Sequence, residues 1–334
     1  MTRVQQRSGR ISFLWLTTFV IMVFAPLTTK AQPPLKHDYA LINGIKLHSV
    51  TSGKGKTILF LHGFPEFWYE WRNLLPAFGE RGYQAVAFDM RGYNLSEKPP
   101  KVEDYAMSHL IADVKGMLEH VSKGKKAILV AHDWGGAVAW AFAAAHPDML
   151  ERLVIINAPH PTVFMRELAS NPKQQQASGY MNFFRSPQAE ASLSANNYAM
   201  LVNVVLNGVQ PPGKITEEER KAYIEAWSHP GALTGGLNYY RAAQLGPALA
   251  GQKQEETGLS QLKQTAVPVP TLVIWGEGDT ALLMGNLDGL DKYVPKLTIR
   301  RIPKASHWVI HEQPTLIIQM IEAFAKGDTV PESK

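Results

Sequence analysis

Leu129-Val130-Ala131-His132-Asp133-Trp134-Gly135-Gly136 carries the reading of this chain: an apolar run meets an acidic residue set among small ones, and an Ala-rich helix, Ala137 to His146, follows. Such a turn from strand to helix needs small neighbours, because its central residue is held in strained backbone geometry that lifts the side chain above the sheet edge. Ala131, Gly135 and Gly136 meet that need. A serine at the apex would attack carbonyl carbons and would require a base to ionise it. Aspartate, with a reference pKa of ~3.9, is already an anion at neutral pH. Its carboxylate suits attack on a saturated carbon bearing a strained or good leaving group.

Working outward, short apolar runs recur between helical segments at Thr57 to Leu61, Gln84 to Phe88, Ala127 to Ala131, Leu153 to Ile156, Thr271 to Trp275 and Leu297 to Ile302. These are expected to be buried strands of a mostly parallel sheet, since βα alternation needs crossover helices on both faces. Two further strands, Tyr39 to Ile42 and Ile45 to Val50, flank Asn43-Gly44, a two-residue hairpin turn, so the sheet opens with an antiparallel edge. Between Pro159 and about Leu262 the pattern changes to polar helices, aromatic clusters and Pro/Gly punctuation. The fold class is therefore α/β, with a core over residues 37–158 and 263–328 and a helical lid over 159–262. Its clearest helix runs from Glu217 to Trp227, with Thr216 as N-cap and Glu218 and Glu219 in the first turn.

The chain has 334 residues, 45% hydrophobic and 19% charged, an ordinary globular composition. Of its net charge of +5, four come from Arg3, Arg7, Arg10 and Lys30, ahead of residue 32. The remainder has no basic stripe interleaved with aromatics, so no nucleic-acid partner is expected. Residues 1–31 read as an export signal: a basic segment through Arg10, an apolar run from Ile11 to Leu27, and small residues at Thr29 and Ala31, with cleavage expected after Ala31. The competing reading is an uncleaved membrane anchor through residues 11–27. The chain has no cysteine, which removes disulfides, thiol nucleophiles and lipoprotein attachment. No cysteine pair at ligand spacing and no Gly-rich phosphate loop occur, so neither metal nor cofactor is expected.

His62-Gly63-Phe64-Pro65 follows the strand that ends at Leu61, where a backbone N–H of Phe64 can join that of Trp134 in an oxyanion hole. Downstream, Trp275-Gly276-Glu277-Gly278-Asp279 ends a strand in an acidic loop, and Ala305-Ser306-His307-Trp308 follows the last strand. Asp133, Asp279 and His307 stand in the order nucleophile, acid, histidine. Glu277 is the rival acid. His132 is read as scaffold, and His62 as ordering the oxyanion loop.

Taken together, His62-Gly63-Phe64-Pro65-Glu66, Asp89-Met90-Arg91-Gly92-Tyr93, His132-Asp133-Trp134-Gly135-Gly136 and Gly276-Glu277-Gly278-Asp279 resemble the successive signatures of the α/β-hydrolase-fold epoxide hydrolases, of the soluble type. The resemblance covers residues 37–326 and implies an eight-stranded, mostly parallel sheet with an inserted helical lid. It also implies two lid tyrosines: Tyr180, in Tyr180-Met181-Asn182-Phe183-Phe184, and Tyr240, in Asn238-Tyr239-Tyr240-Arg241, with Tyr239 as the adjacent rival. Phenols of pKa ~10 can donate to a departing alkoxide without themselves ionising at neutral pH. Asn94 departs from the glycine that many relatives carry, and Asn tolerates left-handed backbone.

The expected reaction is thus hydrolysis of a small hydrophobic epoxide to a vicinal diol through an ester on Asp133, with water as the second substrate and Phe64, Trp134 and Phe184 as substrate contacts. Phe183, Trp68 and Trp308 are read as core or pocket wall. Two alternatives stand beside it: a haloalkane or haloacetate dehalogenase of the same fold, and a non-catalytic binding protein. Phe64, where dehalogenases usually offer a polar halide ligand, argues against the first. Retention of Asp133, Asp279 and His307 argues against the second.

Overall fold

Asn43 and Gly44 both have positive φ, 50° and 77°, and so close the tight hairpin between β1 (Lys36–Ile42) and β2 (Ile45–Ser52). Ile42 pairs with Ile45 beside that turn, and Lys36 with Thr51 at the far end. The computed structural model describes residues 33–206, 208–209, 215–248 and 266–333, together with residues 1, 2 and 9. The expected leader's apolar run and the cleavage point after Ala31 lie outside the described residues, as do residues 249–262 of the expected lid.

After the hairpin come β3 (Lys56–Leu61), β4 (Tyr83–Phe88), β5 (Ala127–His132), β6 (Leu150–Ile156), β7 (Thr271–Gly276) and β8 (Leu297–Ile302). The eight strands form one sheet in the order β1-β2-β4-β3-β5-β6-β7-β8, parallel from β4 through β8 and antiparallel at the β1 and β2 edge. Every residue of β5 and β7 is buried, as a strand covered by helices on both faces requires.

Three crossovers carry α1 (Leu74–Glu80), α2 (Met107–Ser122) and α3 (Asp133–Ala145). The helix expected from Ala137 in fact begins at Asp133. A single residue at positive φ makes the whole turn from strand to helix, so no loop intervenes. The long connection from β6 to β7 holds α4 (Pro161–Ser170), α5 (Pro172–Ala177), α6 (Gly179–Arg185), α7 (Ala189–Leu201), α8 (Glu217–Ser228) and α9 (Ala232–Ala243). At α8, the Thr216 hydroxyl accepts from the Glu219 N–H while the Glu219 carboxylate accepts from the Thr216 N–H, a reciprocal cap that fixes where the helix starts.

After β8, α10 (Val309–Glu312) and α11 (Pro314–Lys326) close the chain on the core. Helix α11 buries Ile317, Met320, Ile321 and Phe324, at the i, i+3, i+4 and i+7 spacing of one helical face. Each such side chain contributes about 1.5–3 kcal/mol when fully buried.

Three contacts fasten α8 to the loop after β3. The Tyr223 hydroxyl donates to Glu66 at 2.8 Å, the Trp227 indole donates to the Pro65 carbonyl at 2.6 Å, and Arg72 pairs with Glu219 at 2.6 Å. The helices are thereby held over the C-terminal ends of β3 and β5, where the turn at Asp133 emerges.

Candidate active site

Asp133 has φ of 48°, in the left-handed region that costs a non-glycine residue about 1–3 kcal/mol. The surrounding glycines make the strained turn sterically possible. A Cβ on Gly135 would run into the backbone oxygens of Leu61 and His62, and one on Gly63 would run into the Asp133 carboxylate itself. Close packing of α3 against β3 and of the Phe64 loop against Asp133 therefore depends on the absence of those two side chains.

The two oxygens of Asp133 face different groups. Oδ1 accepts a hydrogen bond from the Phe64 backbone N–H at 2.8 Å. Oδ2 faces His307 Nε2 at 3.7 Å. On its other side the His307 ring meets Asp279, with Nδ1 2.7 Å from Oδ2 of that carboxylate. Asp279 is 4% exposed and is held by three donors besides His307: the backbone N–H groups of Ala281 and Leu282 on Oδ1, each at 2.8 Å, and the Asn157 amide on Oδ2 at 2.7 Å.

Burial alone would favour the neutral imidazole at His307, but the Asp279 carboxylate, reinforced by Asp133, outweighs it and lifts His307 to about 9. Burial also disfavours the Asp279 anion. The charge and hydrogen bond of His307, with the Leu282 and Asn157 donors, nonetheless hold that carboxyl below its ordinary value. Glu277, the rival acid, is exposed.

From the helical layer, Tyr180 on α6 and Tyr240 on α9 reach the same space, their rings 6.4 Å apart, and both border the cavities that Asp133 lines. Burial first, and the Asp133 charge second, push both phenols well above their ordinary value, so both stay protonated as donors. Tyr239 is a different case. Its hydroxyl donates to the Arg91 carbonyl at 2.9 Å, so it is a buried structural residue.

Two chambers meet at this junction. The larger, about 320 Å³, is walled mainly by apolar side chains such as Phe184, Leu193, Leu201 and Val204. The smaller, about 30 Å³, lies among Trp134, Pro159, Phe164, Met181 and Leu282. Phe64 and Phe184 thus border the large chamber and Trp134 the small one. Among the described residues no cluster of three or more His, Cys, Asp or Glu side chains has a metal-holding arrangement.

His62 ties the Phe64 loop down, its Nε2 accepting from the Met90 N–H at 3.0 Å and its Nδ1 lying 2.8 Å from the Gly63 carbonyl. Asn94 sits at φ of 40° and donates to Asp89 at 2.8 Å, so the departure from glycine keeps the backbone shape and adds a hydrogen bond. Two supports escaped the sequence reading. Asn157, directly after β6, bonds the Asp279 carboxylate and also accepts from the Gly276 N–H at 2.9 Å. Glu66 is fully buried and joins His311 at 2.8 Å. The local signal for Asn157 is a polar residue at the end of an apolar run, and for Glu66 its place in the His62-Gly63-Phe64-Pro65-Glu66 segment.

A carboxylate, a histidine paired to a second acid, an aimed backbone N–H and two protonated phenols around an apolar cavity can open a strained ring and hydrolyse the resulting ester. Residues 56–314 match the alpha/beta hydrolase fold family. The chain is 38% identical over 297 residues to the AB hydrolase superfamily protein YfhM of Bacillus subtilis, covering 88% of this chain and 99% of that protein. It is 36% identical over 305 residues to epoxide hydrolase 4 of Mus musculus, covering 88% and 80%. Its fold resembles the crystal structure of a Bacillus megaterium epoxide hydrolase in complex with an inhibitor, with a TM-score of 0.79 and 34% identity, over 86% of this chain and all of that one.

Proposed function

The chain belongs to the epoxide hydrolases of the α/β-hydrolase fold, and from that premise we propose that it hydrolyses an apolar epoxide to a vicinal diol through an ester on Asp133. The observation that carries this reading is the division of labour between the two Asp133 oxygens. Oδ2, toward His307, attacks a ring carbon as the ring C–O bond breaks, and Tyr180 or Tyr240 protonates the leaving oxygen. Oδ1, already bonded to the Phe64 N–H, becomes the ester carbonyl oxygen.

In the second step His307 takes a proton from a water that attacks the ester carbonyl carbon. The negative charge then develops on Oδ1, where the Phe64 N–H is already in place and the Trp134 N–H adds a second donor. Such donors are typically worth about 3–4 kcal/mol each. Before the water is activated, the proton that His307 carries in the resting site passes to the tyrosinate; on collapse the second proton of the water goes to the departing diol oxygen, so the cycle closes with Asp133 an anion, His307 protonated and both tyrosines intact. Asp279 orients the His307 ring and stabilises its charged form.

Single turnover in isotopically heavy water tests the ester. The first diol should take its new oxygen from Asp133 and carry no solvent label; label in that first product would contradict the proposal. Asp133→Ala should lower turnover ~10⁴-fold or more. Release of halide from haloalkanes, without diol formation from epoxides, would favour a dehalogenase instead. Export through residues 1–31 is a further part of the proposal, tested by the mass of the mature N-terminus.

A further inference from the structure

Beneath the nucleophile lies a pair of ionisable groups that neither step uses. Glu70, in the 3-10 turn Trp68–Trp71, and His132, the residue before Asp133, each have side chains 1% exposed. His132 Nε2 lies 3.1 Å from the His307 carbonyl oxygen. A carbonyl only accepts, so Nε2 carries a hydrogen. On the opposite side of the ring, Nδ1 is 2.5 Å from Glu70 Oε1, a close contact off the line of an ideal hydrogen bond, and neither atom has a hydrogen-bond partner elsewhere among the described residues. A bare nitrogen and a bare carboxylate would repel at that distance, so one proton is shared between them. It rests either on Glu70, giving an uncharged pair, or on His132, giving an ion pair.

The groups facing the pair decide between these. From the loop after β3 come the Glu66 carboxylate and the Gly63 backbone N–H, from the nucleophile turn Asp133, and from the C-terminal segment His307 and His311. Burial, then the charges of Glu66 and Asp133, raise the Glu70 carboxyl well above its ordinary value, against His311 and the Gly63 N–H. Burial and His307 lower His132 to about 4, against Asp133 and Glu66. The ring of His132 also lies 4.6 Å from that of His307, so an imidazolium there would stand beside a second one.

We propose that Glu70 is a protonated positioning residue that donates to His132, which in turn fixes the His307 loop through its carbonyl. The role within the reaction rests on the two-step reading above. An anionic Glu70 would further stabilise the His307 imidazolium. Once Asp133 is esterified, His307 has to give up its proton, and an uncharged Glu70 lets it do so while the dyad keeps the ring in place.

Infrared difference spectra of the resting enzyme against Glu70→Gln test the protonation state without any substrate. The carbonyl stretch of a protonated carboxyl group, sensitive to deuterium, should vanish in the variant; loss of carboxylate bands instead overturns the proposal. Rapid mixing with an epoxide across the pH range then separates ester formation from ester breakdown. Glu70→Leu should slow breakdown ~10-fold with formation nearly unchanged, since a small misplacement of the base has effects of that order. Glu70→Gln, which keeps a donor for Nδ1, should restore breakdown to within about twofold at an unchanged midpoint pH. A midpoint lowered by about one unit in the Gln variant, or equal slowing of both steps in the Leu variant, would show the assignment to be wrong. If the first diol of a single turnover takes its new oxygen from solvent, the two-step reading fails, and the infrared result still decides the dyad.

Discussion

At Asp133 one hydrogen bond separates two oxygens that are otherwise equivalent: the Phe64 N–H claims Oδ1 and leaves Oδ2 toward His307. In the two-step reaction proposed above, ring opening and ester breakdown draw on different neighbours, and substitutions should separate them. The double variant Tyr180→Phe, Tyr240→Phe should slow ester formation ~10²-fold to 10⁴-fold and breakdown far less, read by rapid mixing. Equal slowing of both steps would remove the tyrosines from the first. The pH response follows from His307, lifted to about 9 in the resting site mainly by Asp279 with help from Asp133. Esterification removes the Asp133 charge, so in the intermediate His307 loses its proton below about 9. Breakdown needs the neutral ring, so its rate should rise with pH and level off with a midpoint under about 9. A rate that falls as pH rises over that interval would contradict the assignment of His307 as base.

The turns that end β3, β5, β6 and β7 each present one part of the site, and their precision depends on close backbone approach. Gly63→Ala puts a methyl group into the Asp133 carboxylate. Turnover should fall at least ~10²-fold, since displacements of about 1 Å are worth that much, while circular dichroism stays near wild type. A variant of full activity would mean the loop shifts without cost.

The pair formed by the loops after β7 and β8 also bears on stability. His307 is raised from 6.5 to about 9, so its contribution is fully present below about 6.5 and is lost as pH rises through about 9. Asp279 is lowered, so its contribution is present above its unfolded value and lost only as pH falls through the folded one. From pH about 6.5 to above 9, wild type should therefore lose up to about 3 kcal/mol relative to His307→Gln, measured by urea unfolding at both ends. A difference independent of pH would dissolve the pairing.

The molecule as a whole shapes the substrate, because the sheet supplies the chemistry from below while the helices between β6 and β7 set the room above. The chambers on either side of Asp133, about 320 Å³ and about 30 Å³, are unequal. The smaller holds little more than two water-sized groups, as a water needs about 10–15 Å³ on this measure. An epoxide with one bulky apolar arm at a chain end should therefore react with a kcat/KM ~10-fold or more above that of its isomer with two equal arms, the excess methylenes costing about 1–3 kcal/mol each. Met181→Ala should narrow that gap. A preference for the internal isomer would refute the chamber assignment. The chambers persist because α8 is fastened to the loop after β3 through Tyr223, Trp227 and Glu219.

Local patterns in the chain were enough for the hairpin, the strand order along the chain, the strained strand-to-helix turn at Asp133 and the place of His307 after the last strand, because each is written in neighbouring residues: Asn-Gly for positive φ, apolar runs for buried strands, small residues around a strained apex. Other choices required the packed chain. Tyr240 rather than Tyr239 faces the nucleophile because one helix face turns inward and the other hydroxyl is committed to Arg91. Asp279 rather than Glu277 meets His307 because only the former is buried beside it. Asn157 reaches Asp279 across 122 residues, Tyr223 reaches Glu66 across 157, and His311 reaches Glu66 across 245. No periodicity records such pairs, since burial of a polar group creates a demand for a partner without specifying from which part of the chain that partner comes.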